Sequence, residues 1–170
     1  ERHRFPGVFF ATLWTSFDEV SVPAEGRSRQ LRANDCVVQG VHATAFVDTG
    51  SDYTVSNEAL FLACRKKNPH LPVIGLVSLS GVTGGAVIGK IVRFDRFSLG
   101  ELLFTDTAVV VTNMEIFRLW GMSDQPALLM GMNCLRAFKW VSIDYGRKEF
   151  DFKTTRAVSR PDWLPRQTIA

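Results

Sequence analysis

Four consecutive residues, Asp48-Thr49-Gly50-Ser51, interrupt a strand-forming run that has Thr44 to Val47 before them and Tyr53 to Val55 after. Their types allow two readings. A carboxylate held at the tip of a strand can serve general acid/base chemistry; the same residues can close an Asx-turn, with Gly50 supplying a positive φ. An isolated Asp-Thr-Gly decides nothing, because average residue usage produces one in about 3% of chains this long. The other residue types capable of chemistry form no constellation. Cys36, Cys64 and Cys134 contain no CxxC pair, and His3, His42 and His70 are scattered without an HExxH helix, so neither a zinc site nor a disulfide framework is indicated. Gly84 to Lys90 has the spacing of a phosphate-binding loop, but Ile91 stands where a magnesium-holding Ser or Thr is needed. β-branched residues also run on both sides, which argues against a nucleotide site.

The elements that must position Asp48 follow from local pattern. Cys36 to Val38, Gly40, then Thr44 to Val47 read as a hairpin leading into the Asp48 turn. Ser56 is placed to cap a helix over Asn57 to Lys67, whose basic end, Arg65 to Lys67, suits the helix C-terminus. Val73 to Leu79 and Val87 to Phe94 are strands joined by a glycine-rich tip, a long mobile hairpin. Gly100 centres a turn, and Ala108 to Val111 is a short apolar strand. One or two helical turns fall between Asn113 and Gln125. A strand then ends at Gly131, a short helix covers Asn133 to Phe138, and a last hairpin turns at Tyr145 to Arg147. The class is mainly β with two or three short helices.

Composition fits one globular core: 170 residues, 46% hydrophobic and 22% charged. The net charge of +3 comes in short clusters without interleaved aromatics, which argues against nucleic acid. Val8 to Trp14 is far shorter than the ~20 residues that cross a bilayer, so no direct membrane span is expected. Residues 1–33 read as an N-terminal arm and polar linker, with Asp18 to Asp35 as linker or exposed loop. Phe5 to Phe17 fits an extra strand, an interface arm or the remnant of an upstream domain.

Two further elements make the Asp-Thr-Gly specific. "FVDTGS" at Phe46 to Ser51 and "LMG" at Leu129 to Gly131 are spaced as in the retropepsin-like aspartic proteases, and the glycine-rich hairpin lies between them where that family carries its flap. The stretch "GMNCLRAFKWVSIDYGRKEFDF" resembles the close of the bacterial branch. The resemblance spans Asn34 to Phe152 and implies a closed acid-protease β-barrel over 34–153, with 154–170 as a C-terminal tail. It also implies an aspartic endopeptidase without a cofactor, acting on polypeptides, and hints at a bacterial periplasm or cell envelope.

Peptide hydrolysis by this route needs two carboxylates sharing a proton, and the chain has one Asp-Thr-Gly. The resemblance therefore implies a homodimer with Asp48 of each subunit at the two-fold axis. By the same resemblance, Thr49 bonds across the dimer and Gly50 lets backbone approach the substrate. Ser51 is placed to donate to the Asp48 carboxylate, which argues for an acid activity optimum. Asp52 grips substrate main chain, and the flap tip Gly81, Val82, Thr83 and Gly84 closes over it. Met132 stands where retroviral enzymes have an Arg that pairs with the Asp52 position, and Asn133 replaces the Asp common in bacterial relatives. An inactive peptide-binding module, or one lobe of a bilobal or heteromeric protease, are the alternative readings. Trp120, Trp140 and Trp163 read as packing residues.

Overall fold

A computed structural model describes residues 11–26, 30–80 and 85–155. Its strands are β1 (Thr12–Trp14), β2 (Glu19–Pro23), β3 (Ala33–Val38), β4 (Val41–Val47), β5 (Val55–Ser56), β6 (Val73–Ser80), β7 (Ala86–Leu99), β8 (Leu102–Val111), β9 (Ala127–Met130), β10 (Phe138–Asp144) and β11 (Glu149–Thr154). The helices are α1 (Glu58–Lys67), α2 (Glu115–Leu119) and α3 (Met132–Leu135). Six strands close a ring in the order β8-β5-β9-β4-β3-β7 and back to β8, with β1 and β6 as additions at its edges. Closure removes open edges from the ring. Within it, β4 runs parallel to β9, with Phe46 opposite Leu129 and Val47 opposite Met130.

The pair β4 and β9 lies between two apolar clusters, which is why "ALLM" is buried at every position. Ala43, Ala45, Leu128 and Met130 face the main core; Phe46, Ala127 and Leu129 face a smaller one built with Val55, Phe117 and Met122. Val77 and Leu79 of the β6–β7 hairpin and Trp120 after α2 pack on the smaller cluster. The second core therefore joins the strand that ends at Asp48 to the hairpin above it.

Two differences from the sequence expectations, in β2 and in the α1 cap, have physical causes. The polar stretch Asp18 to Asp35 contains a strand: β2 pairs with β11, so Val20 and Val22 are buried while Glu19, Ser21 and Pro23 are exposed. Its alternation is short and flanked by Pro, Gly and Arg, which hid it. Of the readings given for the aromatic arm, the described part, Thr12 to Trp14, fits the extra strand, paired with β8. The α1 cap is Asn57, not Ser56. Asn57 Oδ1 accepts from the N–H groups of Leu60 (3.0 Å) and Ala127 (3.1 Å), while its Nδ2 donates to the carbonyls of Met122 (2.7 Å) and Gln125 (2.6 Å). One buried amide thus starts the helix and fixes the entry to β9. Ser56 Oγ, by contrast, is buried without a hydrogen-bond partner.

The expected turn at Gly100 is present, with a positive φ of 52°. The last hairpin, β10–β11, forms a three-stranded sheet with β2. Its inner aromatics continue the core, with Phe138 tilted on Phe152 at 4.8 Å and edge-on to Phe104 at 6.1 Å.

Candidate active site

Asp48 begins the loop that leaves β4. Its N–H donates to the Met130 carbonyl at 3.0 Å, extending the β4–β9 ladder by one residue, so the strand pair itself sets where the carboxylate emerges. Asp48 Oδ1 accepts from the Gly50 N–H at 2.9 Å. The Asx-turn of the simpler reading is therefore present, but Gly50 has no positive φ. Glycine is favoured there by space, since a Cβ would sit 3.2 Å from Asp48 Oδ1. Asp48 is half-buried, while Thr49, Gly50 and Asp52 are exposed on the surface of the chain.

Ser51 does not donate to Asp48. Its hydroxyl is spent 2.7 Å away on the Tyr53 carbonyl, within the same loop, so the reason given for an acid optimum falls away. Asp52 lies 3.8 Å from Arg136, an exposed pair one helical turn beyond Met132. An arginine does approach Asp52, then, from a position the alignment of motifs did not single out.

The far side of the loop is clamped to the segment that follows β9. Met132 and Asn133 donate their N–H groups to the carbonyls of Ser51 (2.8 Å) and Asp52 (3.1 Å). Gly131 N–H donates to Thr54 Oγ1 at 3.1 Å. Thr54 donates from both its backbone and its hydroxyl to Asn133 Oδ1, at 2.8 and 2.7 Å. A Cβ on Gly131 would fall 2.2 Å from the Tyr53 oxygen and 2.9 Å from that of Ser51, so only glycine permits this contact. Thr54 and Asn133 were not among the expected site residues. Asn133 stands out only as replacing the Asp common in bacterial relatives, and Thr54 carries no signal beyond a single hydroxyl after the first motif.

The β6–β7 hairpin is anchored at its root. Gly89 leaves room for β8, where a Cβ would meet Val110 Cγ1 at 2.4 Å. Lys90 pairs with Glu58 of α1 at 2.8 Å and stands 4.6 Å above the Phe61 ring. The lysine of the phosphate-loop-like stretch is therefore a strand residue tying the hairpin to a helix. The tip residues Gly81, Val82, Thr83 and Gly84 lie outside the described residues.

Below the hairpin, Trp120 stacks on Phe46 with ring centroids 4.4 Å apart. It walls a groove with Leu31, Val47, Ile143 and Tyr145. Trp120 packs, as expected, and also borders this groove. The three thiols are buried, and burial pushes Cys36, Cys64 and Cys134 up to about 12 each, so none is a nucleophile. Among the described residues no cluster of His, Cys, Asp and Glu could hold a metal, and no helix is long and apolar enough to cross a membrane.

A family model described as aspartyl protease matches residues 34–134. The chain belongs to the aspartyl protease family. Both halves of the clamp, the Asp48 loop and the Gly131 turn, fall inside the matched span. The fold is similar to the crystal structure of a retropepsin-like aspartic protease from Rickettsia conorii, with a TM-score of 0.52 over 86% of this chain and 96% of that one. Sequence identity between the two is 18%, so the likeness speaks for the fold. No curated protein matches the chain. For an aspartyl protease, the ring of six strands, the flap-like hairpin and the Asp-Thr-Gly loop at the end of β4 form one coherent retropepsin-like arrangement.

Proposed function

We propose that this aspartyl protease is an endopeptidase that works as a homodimer, with Asp48 of each subunit supplying one carboxylate of a shared pair. The observation that carries this reading is the half-site. A carboxylate is held rigidly by backbone at the end of β4, while Thr49 and Gly50 beside it are exposed on a chain with one Asp-Thr-Gly. Two such carboxylates brought together cannot both ionise easily and hold one proton between them. The ionised one takes a proton from a water molecule as its oxygen attacks the scissile carbonyl. The protonated one gives its proton to the carbonyl oxygen. As the C–N bond breaks, the first carboxyl gives the proton it took from water to the amide nitrogen and a hydroxyl proton of the intermediate returns to the second carboxylate, so acid and amine leave and one shared proton remains as before. Thr49 bonds across the dimer, Asp52 holds substrate main chain, and the hairpin tip Gly81 to Gly84 closes over the peptide and excludes water.

Wild type and Asp48→Asn are incubated with a denatured, unstructured protein from pH 3 to 8, with the oligomeric state measured in the same solutions. Cleavage by wild-type dimer, lost at least 10³-fold in Asp48→Asn, is the expected result. Turnover per subunit should also fall on dilution below the dimer dissociation constant. Cleavage retained in Asp48→Asn, or at full rate by monomer, would refute the shared pair. Peptide binding without cleavage by a folded monomer would make the chain a binding module instead.

A further inference from the structure

Asn133 is buried at the start of α3, and its side chain bonds only to other elements. Oδ1 accepts two bonds from Thr54, at the end of the Asp48 loop, and Nδ2 donates to the Ala108 carbonyl on β8 at 3.0 Å. Thr54 Oγ1 in turn accepts from Gly131 N–H and lies 3.1 Å from Cys134 Sγ. One side chain therefore joins the loop, the turn after β9 and the barrel wall.

We propose that Asn133 is a positioning residue for the Asp48 loop, and that its amide keeps the loop in register independently of pH because it accepts on one atom and donates on the other in every protonation state. The catalytic consequence rests on the protease reading; the lock itself does not.

The chemistry turns on the donor. Aspartate in the same place keeps the oxygen that serves Thr54, but its second oxygen would face the Ala108 carbonyl, an arrangement that holds only while that oxygen carries a proton. Burial also disfavours the charged form, while the two bonds from Thr54 favour it. The other ionisable groups on the surrounding elements are Asp48, Asp52 and Tyr53 on the loop, Cys134 on α3 and Arg136 at its C-terminal cap, and Asp106 on β8. Arg136 approaches Asp52 at 3.8 Å, and Arg93 of β7 approaches Asp106 at 3.9 Å. The buried thiol of Cys134 stays neutral. Facing a carbonyl and losing water outweigh the Thr54 bonds, so a carboxylic acid at 133 is held protonated above its usual range in the folded chain. Stability of Asn133→Asp then matches wild type below about pH 4, where the unfolded carboxyl is also protonated. As pH rises through the interval up to the folded-state value, the folding equilibrium falls about tenfold per pH unit relative to wild type, then levels off.

Urea unfolding of the full chain and cleavage of a denatured protein are measured for wild type and Asn133→Asp from pH 3.5 to 8, each quantity taken as a ratio to wild type at the same pH. Both ratios should be near one at the acid end and fall with rising pH, with kcat dropping more than KM rises. Ratios independent of pH would overturn the proposal. Where Asn133→Asp does not fold even at pH 4, Thr54→Val should lower kcat at least tenfold, with Thr54→Ser recovering most of it; Thr54→Val with wild-type kcat would overturn the proposal. Absence of cleavage by wild type would refute the protease reading, and the urea ratios alone would then support or overturn the lock.

Discussion

Replacing Gly131 by alanine tests whether the close approach of two loops builds the site. The added methyl would lie 2.2 Å from the Tyr53 oxygen, 2.4 Å from its carbonyl carbon and 2.9 Å from the Ser51 oxygen. All three are backbone atoms, so no side chain can rotate away. Relief requires the two segments to part by roughly 1 Å, given that carbon and its neighbours settle near 3.5 Å. Of the hydrogen bonds spanning that gap, three are donated by backbone N–H groups of the turn, Met132 to Ser51, Asn133 to Asp52 and Gly131 to Thr54, and these are the ones a backbone shift weakens first. At about 0.5–1.5 kcal/mol each, their weakening costs up to ~4 kcal/mol. Overpacking strain adds about 1–3 kcal/mol if the segments resist. A net loss of about 3–5 kcal/mol is expected, a large part of the 5–15 kcal/mol that holds a typical domain together. Urea unfolding reads it directly as a lower midpoint. A shift of that size in the loop carrying Asp48 should also reduce cleavage about 10²-fold in whatever fraction stays folded. Gly85→Ala is the control, because nothing lies within 4 Å of its Cβ position, and it should change stability by less than about 0.5 kcal/mol. A Gly131→Ala protein as stable as Gly85→Ala would refute the steric argument.

Three other substitutions or conditions test separate parts of the fold. Asn57→Ala removes the α1 cap and leaves the buried carbonyl of Met122 and the part-buried one of Gln125 without their donor, so a loss of about 2–4 kcal/mol is expected from the urea midpoint. Ser56→Ala removes a buried hydroxyl that has no partner, and should be neutral or stabilising by up to about 1 kcal/mol; a clear destabilisation would show that the hydroxyl is bonded. The buried thiols stay protonated to about pH 12 in the folded chain but ionise near 8.5 when unfolded, so their contribution is intact below that pH and is lost as pH rises toward 12. Urea midpoints should therefore fall above about pH 9, less steeply in Cys36→Ala, and thiol reagents at pH 8 should label the native chain only at its unfolding rate.

What the sequence disclosed and what it hid differ in kind. Asp48, Gly131 and the hairpin between them were legible because each departs from an apolar run, and punctuation of that sort survives in one dimension. The register that makes Gly131 irreplaceable was not, since the clash partner, Tyr53, is far away along the chain and offers its carbonyl rather than its side chain. Ser51 shows the same limit from the other side: a hydroxyl three residues from a carboxylate looks like its donor, yet the turn geometry gives it the nearer Tyr53 carbonyl. The strand β2 was missed because five residues of alternation inside a polar stretch carry little weight until β11 is there to pair with. Asn57 took the cap from Ser56 because its amide oxygen accepts from the helix and β9 while its nitrogen donates to two carbonyls, Met122 and Gln125, whereas a hydroxyl has a single proton to give.

These arrangements fasten the Asp48 loop and the β6–β7 hairpin to different degrees. The Asp48 loop is held on one side by the β4–β9 ladder and on the other by backbone bonds to the Gly131 turn, with Thr54 and Asn133 buried beneath it. Side-chain motion alone cannot displace it. The β6–β7 hairpin is fastened differently, by Lys90 and Gly89 at its root, while Leu76 and Ile88 further out are 64% and 72% exposed. Under the proposed dimer mechanism, a fixed acid and a loosely covered hairpin are the combination needed: the carboxylate would have to meet its counterpart within a fraction of an ångström, whereas a hairpin acting as a lid would have to open to admit a chain. Stiffening the hairpin should therefore slow peptide entry and release while leaving the chemical step alone. A disulfide across Ser78 and Ile88, which face one another in the β6–β7 register, provides the test. In single-turnover cleavage the oxidised Ser78→Cys/Ile88→Cys variant should keep its chemical rate after binding and lose association rate, with reduction restoring it. An oxidised variant whose chemical step slows instead would show that the lid takes part in positioning the acid.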